Sequence, residues 1–255
     1  FRELSLASVT VPNGIASIGY AAFYDNALTD IDLAEGITSI GGFAFSQNAL
    51  TSVTIPNTVI NIEESTFSNN ALTSIIIPNS VINIKDNAFY GNQSLASAVL
   101  STALESIGNA VFYNNALASI EIPESVTSIG ASAFSNNALV SIVIPNSVTS
   151  LGDYAFYENK LLETAVLSTA LDSIGYAVFY DNALNSLNIP ENVASVGDYA
   201  FGGNKLTSIS IPSNIITIGE YAFATNELLS RVSFLGNRPN LKATSFTDDP
   251  VLATI

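Results

Sequence analysis

One stretch of the sequence decides the fold: Ile144-Pro145-Asn146-Ser147-Val148-Thr149-Ser150-Leu151-Gly152-Asp153-Tyr154-Ala155-Phe156. Its pattern recurs along the whole chain at intervals of 22 or 23 residues, and each copy ends in a phenylalanine. These phenylalanines are Phe23, Phe45, Phe67, Phe89, Phe112, Phe134, Phe156, Phe179, Phe201, Phe223 and Phe246. A unit of this size buries its apolar face only by stacking on its neighbours, so the period predicts a solenoid.

Each unit begins with a predicted strand that ends at a proline. In Leu50-Thr51-Ser52-Val53-Thr54-Ile55-Pro56 the apolar side chains alternate with Ser and Thr, which is typical of a half-buried strand. Proline ends the strand because it lacks an N–H for the sheet. The Val-x-x-Ile-Gly segment that follows predicts a short extended stretch and about one helical turn. A glycine such as Gly152 is expected to supply a backbone conformation that other residues resist.

A column of asparagines follows the phenylalanine column at a distance of three residues. The column comprises Asn26, Asn48, Asn70, Asn92, Asn115, Asn137, Asn159, Asn182, Asn204 and Asn226. Stacked side-chain amides can hydrogen-bond the backbone of their own turn and of the adjacent turn. Because the residue recurs in nearly every unit, we interpret the column as a structural ladder and not as a binding site.

A longer period of 67 residues is superimposed on the short one. The segment 98–104 recurs as 165–171, with the same residues Ala-Val-Leu-Ser-Thr-Ala-Leu. This interval comprises two units of 22 residues and one of 23, and the extra residue follows the asparagine. The pattern indicates duplication of a block of three units.

Composition excludes several classes of function. Seven Lys and Arg against 22 Asp and Glu give a net charge of −15, so nucleic acid and anionic membrane are disfavoured as partners. No apolar run approaches the roughly 20 residues that span a bilayer. The sequence has no Cys and no His, which excludes disulfides, thiolate metal sites and nucleophilic Ser-His or Cys-His systems. We find no matched pair of carboxylates or phosphate-binding motif, and we therefore predict no enzyme and no cofactor.

The repeat L-x-x-I-x-I-P-x-x-V-x-x-I-G-x-x-A-F-x-x-N resembles the BspA-like, or Treponema-type, leucine-rich repeat of bacterial and some protist surface proteins. The resemblance covers nearly the whole chain. It implies a right-handed leucine-rich-repeat superhelix, with a parallel β-sheet on the concave face and short strand or helical-turn segments on the convex side. That family often has Cys where this chain has Asn, so the ladder chemistry differs. The resemblance also implies a secreted or cell-surface protein associated with adhesion.

We predict one leucine-rich-repeat domain over residues 1–255, with about eleven units. The repeat is already under way at Leu6, and the segment 251–255, Val-Leu-Ala-Thr-Ile, is similar to the opening of a further unit. The first residues lack the pattern of a secretion signal. We therefore expect the sequence to be a piece of a longer protein.

The first candidate site lies on the open face of the predicted sheet. The residue between the two inward positions of each strand points to this face, and the residues in order are Thr10, Asp32, Thr54, Ile76, Val99, Glu121, Val143, Val166, Asn188, Ser210 and Ser233. The centre of this stripe is apolar, comprising Ile76, Val99, Val143 and Val166, and Glu121 interrupts it. An exposed apolar patch usually marks an interaction site. The alternative is that Val and Ile occur there because they favour strands, and both interpretations stay open.

Tyrosines form a second candidate stripe, directly after the phenylalanines, at Tyr90, Tyr113, Tyr157 and Tyr180. Tyr24 shares this position, and Tyr20, Tyr154, Tyr176, Tyr199 and Tyr221 lie in the preceding turn. Aromatic side chains with a polar tip favour interfaces. Packing along the edge of the solenoid explains them more readily, so we rank this stripe second.

An acidic cluster near the start of the chain offers oxygen ligands of the kind that calcium prefers. Its members are Asp25, Asp30, Asp32 and Glu35. They do not follow an EF-hand or glycine-aspartate repeat spacing. A solvated acidic edge is the better interpretation, and we predict no metal site.

The sequence leaves two classes of function. The first is a non-catalytic protein-binding or adhesion module that engages a macromolecular partner, such as a host matrix or cell-surface protein, through the concave sheet. The second is a passive spacer that presents other domains. An exposed apolar patch on one face favours binding, whereas a uniformly polar surface would favour a spacer. We predict a monomer, with end-to-end contacts between chains as the alternative, and no insertion into a membrane.

Overall fold

The structure is a computed structural model, and it describes residues 1–251. The chain falls into two compact units, Phe1–Val126 and Thr127–Ile255. Each unit is a stack of parallel-strand turns, which confirms the predicted repeat solenoid. The prediction of a single domain stays a prediction. The expected opening of a further unit at 251–255 lies, from 252 onward, outside the described residues.

Short strands are the regular elements of both units. In the first unit they are β1 (Ser17–Ile18), β2 (Ser39–Ile40), β3 (Asn61–Ile62), β4 (Ser74–Ile76), β5 (Asn83–Ile84), β6 (Ser97–Val99) and β7 (Ser106–Ile107). In the second unit they are β8 (Ser128–Ile129), β9 (Ser141–Val143), β10 (Ser150–Leu151), β11 (Thr164–Val166), β12 (Ser173–Ile174), β13 (Ser195–Val196), β14 (Ser208–Ile211), β15 (Thr217–Ile218), β16 (Arg231–Phe234) and β17 (Asn240–Leu241). Residues 1–251 contain no helix.

The two-residue strands directly before the glycine of the Val-x-x-Ile-Gly segment form the more continuous parallel ladders. In the first unit β1 pairs with β2, and β3, β5 and β7 follow one another. In the second unit β8 pairs with β10, and β12, β13, β15 and β17 form one sheet. Equivalent residues lie opposite each other in the register. Ile62, for example, lies opposite Ile84, and both side chains are buried. The repeat sequence therefore sets the register.

The first strand of each repeat, which a proline follows in most repeats, pairs differently from our expectation of one evenly spaced strand per repeat. These strands form three separate pairs, β4–β6, β9–β11 and β14–β16. In every pair the partners are 23 residues apart, as Ser74 and Ser97 are. Across a 22-residue step, Thr73 N still donates to Thr51 O at 3.2 Å, but no strand ladder follows in the described part of the chain. The extra residue of the 23-residue repeats thus coincides with local sheet formation.

The predicted helical turn is instead a series of tight turns. Ala155 N donates to Gly152 O at 3.2 Å, and Tyr157 N donates to Tyr154 O at 3.0 Å. Tyr154 and Glu158 have positive φ angles of 60° and 56°. Most of the 22- and 23-residue repeats contain this pair of left-handed residues, one of them two residues before the phenylalanine and the other two residues after it. Left-handed residues interrupt an α-helix, which explains why none forms.

The role that we predicted for the glycine of the Val-x-x-Ile-Gly segment was wrong. Gly152 and Gly41 do not have positive φ angles, which among glycines occur at Gly14, Gly91 and Gly203. A Cβ on Gly152 would lie 2.2 Å from Ala131 N, and one on Gly41 would lie 2.6 Å from Tyr20 N. At Gly152 and Gly41 the adjacent turns approach too closely for a side chain, although Glu63 and Lys85 occupy the same place in two other repeats.

The phenylalanine column forms the centre of the core in each unit, as predicted. Neighbouring rings stack with centroids 5.2–5.8 Å apart and interplanar angles of 3–17°. The inner phenylalanines are completely buried, together with the leucine at the start of each repeat, such as Leu50. Stacking between neighbouring repeats therefore supplies the apolar contacts that no single repeat has alone.

The asparagine column forms the predicted ladder. Asn204 Nδ2 donates to three carbonyls, Phe179 O at 2.9 Å, Phe201 O at 3.0 Å and Gly202 O at 3.1 Å. Its Oδ1 accepts from Leu184 N at 3.0 Å. Each such side chain joins its own turn to the preceding one, and the buried bends keep their backbone groups hydrogen-bonded.

Aspartate replaces asparagine at the last position of this column, three residues after Phe246. Asp249 is buried, and its Oδ1 accepts from Asn226 N at 2.7 Å, while its Oδ2 has no hydrogen-bond partner. Burial raises the pKa of Asp249 from its ordinary 3.8 to about 7, the N–H of Asn226 opposes this shift, and Asp248 adds to it. The folded chain thus retains a proton that the unfolded chain releases above pH 4.

This difference in proton binding predicts a pH-dependent effect of Asp249→Asn. A raised folded-state pKa means that stability is lost as pH rises from about 4 to about 7, because the unfolded state binds fewer protons. The variant removes that loss, so its gain in melting temperature over the parent should grow from pH 4 to pH 8. Calorimetry at a series of pH values measures it, with the exposed Glu163→Gln as control. A gain that is the same at every pH would contradict this account.

Candidate binding surface

An exposed apolar pair lies on the open face of the β4–β6 sheet in the first unit. Ile76 and Val99 are directly opposite each other in the register. They are 69% and 55% exposed, whereas the preceding Ile75 points inward and is buried. The alternation of the strands therefore places two β-branched side chains in solvent, as predicted.

A groove of about 600 Å³ borders this pair beside β6, where the next segment of chain does not pair with the strand. Its lining includes Ser97, Val99, Thr102, Ser119, Glu121 and Glu124. Glu121 and Glu124 are both exposed. The groove offers hydroxyl groups and two carboxylates next to an apolar wall, so it can receive a polar or cationic side chain.

A second groove of about 400 Å³ lies on the other side of the pair, between β4 and the segment that contains Ser52, Val53 and Thr54. Both grooves coincide with 22-residue steps, and the paired strands between them are 23 residues apart. We did not predict these grooves from the sequence. The alternation of 22- and 23-residue spacings was the signal that could have located them.

The second unit contains an equivalent apolar pair. Val143 and Val166 lie opposite each other in β9 and β11 and are 60% and 58% exposed. At the third equivalent place, Ser210 lies opposite Ser233. The predicted exposure of the four apolar residues is confirmed. Whether they bind a partner stays a prediction.

The candidate tyrosine stripe consists of pairs of stacked rings. Tyr90 and Tyr113 have centroids 5.2 Å apart in the first unit, and Tyr157 and Tyr180 have centroids 5.8 Å apart in the second. All four side chains are partly buried. Burial raises the pKa of Tyr157 to about 12, and a hydrogen bond with Glu158 contributes. Packing along the edge accounts for these four residues, and a binding role for them stays a prediction.

The acidic residues of the first unit do not converge. In the described chain, no three Asp or Glu side chains come close enough together to hold a metal ion. Glu35 Oε2 instead accepts from Asn57 N at 3.1 Å. Residues 1–251 also contain no helix long and apolar enough to cross a membrane.

Stacked parallel-strand turns, an internal phenylalanine column and an asparagine ladder define a leucine-rich-repeat protein. A family profile described as "BspA type Leucine rich repeat region (6 copies)" matches residues 1–116, 39–163, 83–205 and 149–255. The chain therefore belongs to the BspA-type leucine-rich repeat family. No curated protein matches the sequence significantly.

Solved structures of bacterial proteins share the fold. A leucine-rich repeat protein from Bacteroides ovatus is 24% identical, with a TM-score of 0.54 over 93% of this chain and 81% of that one. A leucine rich cell surface protein from Faecalibacterium prausnitzii is 25% identical, with a TM-score of 0.53 over 91% and 80%. The pneumococcal vaccine antigen PcpA is 16% identical, with a TM-score of 0.53 over 96% and 75%. The chain is thus related to bacterial surface leucine-rich repeat proteins.

Proposed function

We propose that this chain is a non-catalytic protein-binding module of a secreted or cell-surface bacterial protein and that it acts in adhesion. The observation that carries the proposal is the exposure of Ile76 with Val99, and of Val143 with Val166, on paired strands. Exposed β-branched side chains gain free energy when a partner removes them from water. A purely structural face needs no such residues, since Ser210 and Ser233 lie at the same places in the equivalent two-stranded sheet β14–β16.

The surroundings of the first apolar pair favour a protein partner. The pair forms a ridge with a groove on either side, and Glu121 lies in the larger groove. A polypeptide can cover the ridge with apolar side chains and direct donors or a cation to the carboxylate. Apolar contact surrounded by polar groups is the usual anatomy of a protein interface.

The proposed location rests on the relatives. The protein from Faecalibacterium prausnitzii that resembles this chain is named a cell surface protein. A net charge of −15 repels anionic membranes and nucleic acids, which directs the search for partners toward proteins. We therefore propose host matrix proteins and bacterial surface proteins as the partner class, bound by a single copy of the chain.

The double variant Val143→Asp/Val166→Asp is expected to lose partner binding while it stays folded. Both side chains are exposed, so the carboxylates remain hydrated in the free protein but would be buried without a partner charge in the complex. Surface binding to a panel of matrix proteins and whole bacterial cells measures the effect. Circular dichroism verifies that the variant is folded.

The matched control is Ser210→Asp/Ser233→Asp, which adds the same charges at the equivalent third pair. We expect this control to bind as the parent does. Equal binding by the parent and the valine variant would rule out this face. If the parent binds nothing on the panel, the passive spacer becomes the better interpretation.

A further inference from the structure

A continuous row of tyrosines lies on the turns before the phenylalanines in the second unit. We call Tyr154, Tyr176, Tyr199 and Tyr221 the tyrosine edge. Neighbouring ring centroids are 5.1, 5.6 and 4.9 Å apart in that order. Tyr154 and Tyr176 are 37% and 38% exposed. The edge is thus an accessible aromatic surface that is separate from the buried phenylalanine column.

The fold does not require tyrosine at these positions. In the first unit, Ser65, Asn87 and Ala110 occupy the place two residues before the phenylalanine, and they form the same left-handed turn with φ angles of 50–58°. Tyr154, Tyr199 and Tyr221 adopt φ angles of 56–60° there. Positive φ is less favourable for a bulky side chain than for Asn. Phe43, with a φ angle of 58°, is the one bulky residue at this place in the first unit, whereas the second unit has three tyrosines there. This concentration of strained aromatic residues points to a function.

Carboxylates accompany the rings of the tyrosine edge. Asp153, Asp198 and Glu220 each directly precede a tyrosine, are exposed, and form no ion pair within residues 1–251. The pKa of Tyr176 is raised, first by a hydrogen bond with Tyr154 and further by burial and by the charges of Asp198 and Asp153. These carboxylates consequently act on the same surface as the ring hydroxyls.

The chain itself contains an example of the ligand chemistry that this surface fits. In the first unit, the guanidinium carbon of Arg2 lies 5.5 Å from the ring centroid of Tyr20. Tyr20 and Tyr176 occupy the same place in the repeat, three residues before a phenylalanine. A guanidinium group stacks on aromatic rings and also pairs with carboxylates, which a lysine does less well.

We propose that the tyrosine edge binds an arginine-rich polypeptide segment. The rings contact the guanidinium planes and the aliphatic stems, and Asp153, Asp198 and Glu220 supply the opposite charge. This is a second interaction surface, on the turns and not on the strands, and it goes beyond the adhesion proposed above. It also gives a partner chemistry for part of the negative charge of the chain.

Isothermal titration calorimetry of the 255-residue chain with a synthetic peptide of alternating arginine and serine tests the proposal. Asp153→Asn/Asp198→Asn and, separately, Tyr176→Leu are the test variants. The asparagines keep the oxygens that accept from Tyr176 N at 2.9 Å and Glu220 N at 2.7 Å, so the turns stay intact. Both variants are expected to bind the peptide roughly tenfold more weakly than the parent.

The control variant Glu163→Gln/Glu191→Gln removes two exposed charges from the same unit outside the tyrosine edge. We expect it to bind nearly as tightly as the parent, and the matching lysine-serine peptide to bind more weakly. An equal loss of peptide affinity in the control and the aspartate variant would show that the net charge of the chain attracts the peptide without a specific site. That result would overturn the proposal. Absent peptide binding, or unchanged binding by Tyr176→Leu, would also overturn it. Val143→Asp/Val166→Asp should keep peptide binding, so failure of the adhesion proposal remains distinguishable.

Discussion

Replacing Phe179 by alanine is expected to lower the free energy of unfolding by about 3–5 kcal/mol. The Phe179 side chain is completely buried, and its ring stacks between Phe156 at 5.2 Å and Phe201 at 5.6 Å. The cavity would remove contacts from both neighbouring turns, and a repeat protein is stabilised mainly through such interfaces between neighbours. Urea denaturation followed by circular dichroism measures the change.

The matched control for this experiment is Phe1→Ala. Phe1 stacks on Phe23 at 5.8 Å but is 73% exposed, so its removal creates no internal cavity. We expect a loss below about 1 kcal/mol. Similar losses for the two substitutions, or a Phe179 variant as stable as the parent, would contradict the assignment of the phenylalanine column to the core.

The second large effect is expected for Asn204→Leu, which should cost about 2–4 kcal/mol. Leucine branches at the same carbon as asparagine, but its two methyl groups can neither accept from Leu184 N nor donate to Phe179 O. These are the two groups of the preceding turn that Asn204 binds at 3.0 and 2.9 Å. Unsatisfied backbone groups in a buried bend lose their hydration without replacement. The same denaturation experiment measures the loss.

Two further substitutions make this test specific. Asn188 is exposed, and Asn188→Leu should change stability by less than about 0.5 kcal/mol. Asn204→Asp should resemble the natural Asp249. A carboxylate keeps the acceptor oxygen of asparagine but has no donor until protonation gives it an O–H group. Its stability should therefore improve as pH falls. An Asn204→Leu protein that unfolds like the parent would show that the ladder is not a stabilising element.

The most repetitive features of the fold could be predicted from the sequence. The Phe179 column and the Asn204 column recur at fixed intervals, and the same physical requirement applies in each turn, so one unit reveals the role of the residue in all of them. The same holds for the inward and outward alternation of Ile75 and Ile76, which correctly predicted their burial and exposure.

The features that depend on distances between turns could not be predicted. The sequence shows that Gly152 recurs, but not that the backbone of the adjacent turn at Ala131 lies where its Cβ would be. Likewise, strand pairing of Ser74 with Ser97, and the grooves beside it, depend on how a 23-residue step aligns two turns. Local propensity carries no information about that alignment.

The candidate surfaces lie between these two cases. Alternation was sufficient to place Val143 and Val166 in solvent, because strand geometry determines their direction. It was not sufficient to identify the tyrosine edge, since the positive φ of Tyr199 and its proximity to Tyr221 emerge only from the folded turn. What a surface binds depends on residues that differ from one repeat to the next. The repeat pattern shows only the residues that all repeats share.

The central claim is that the exposed apolar pairs on the paired strands bind a protein. The most direct test compares the parent chain with one that carries Ile76→Asp, Val99→Asp, Val143→Asp and Val166→Asp, by surface plasmon resonance on a panel of matrix proteins and by adhesion to bacterial cells. We predict that the parent binds at least one of these surfaces and that the folded fourfold variant binds none of them. Undiminished binding by the fourfold variant would contradict the claim.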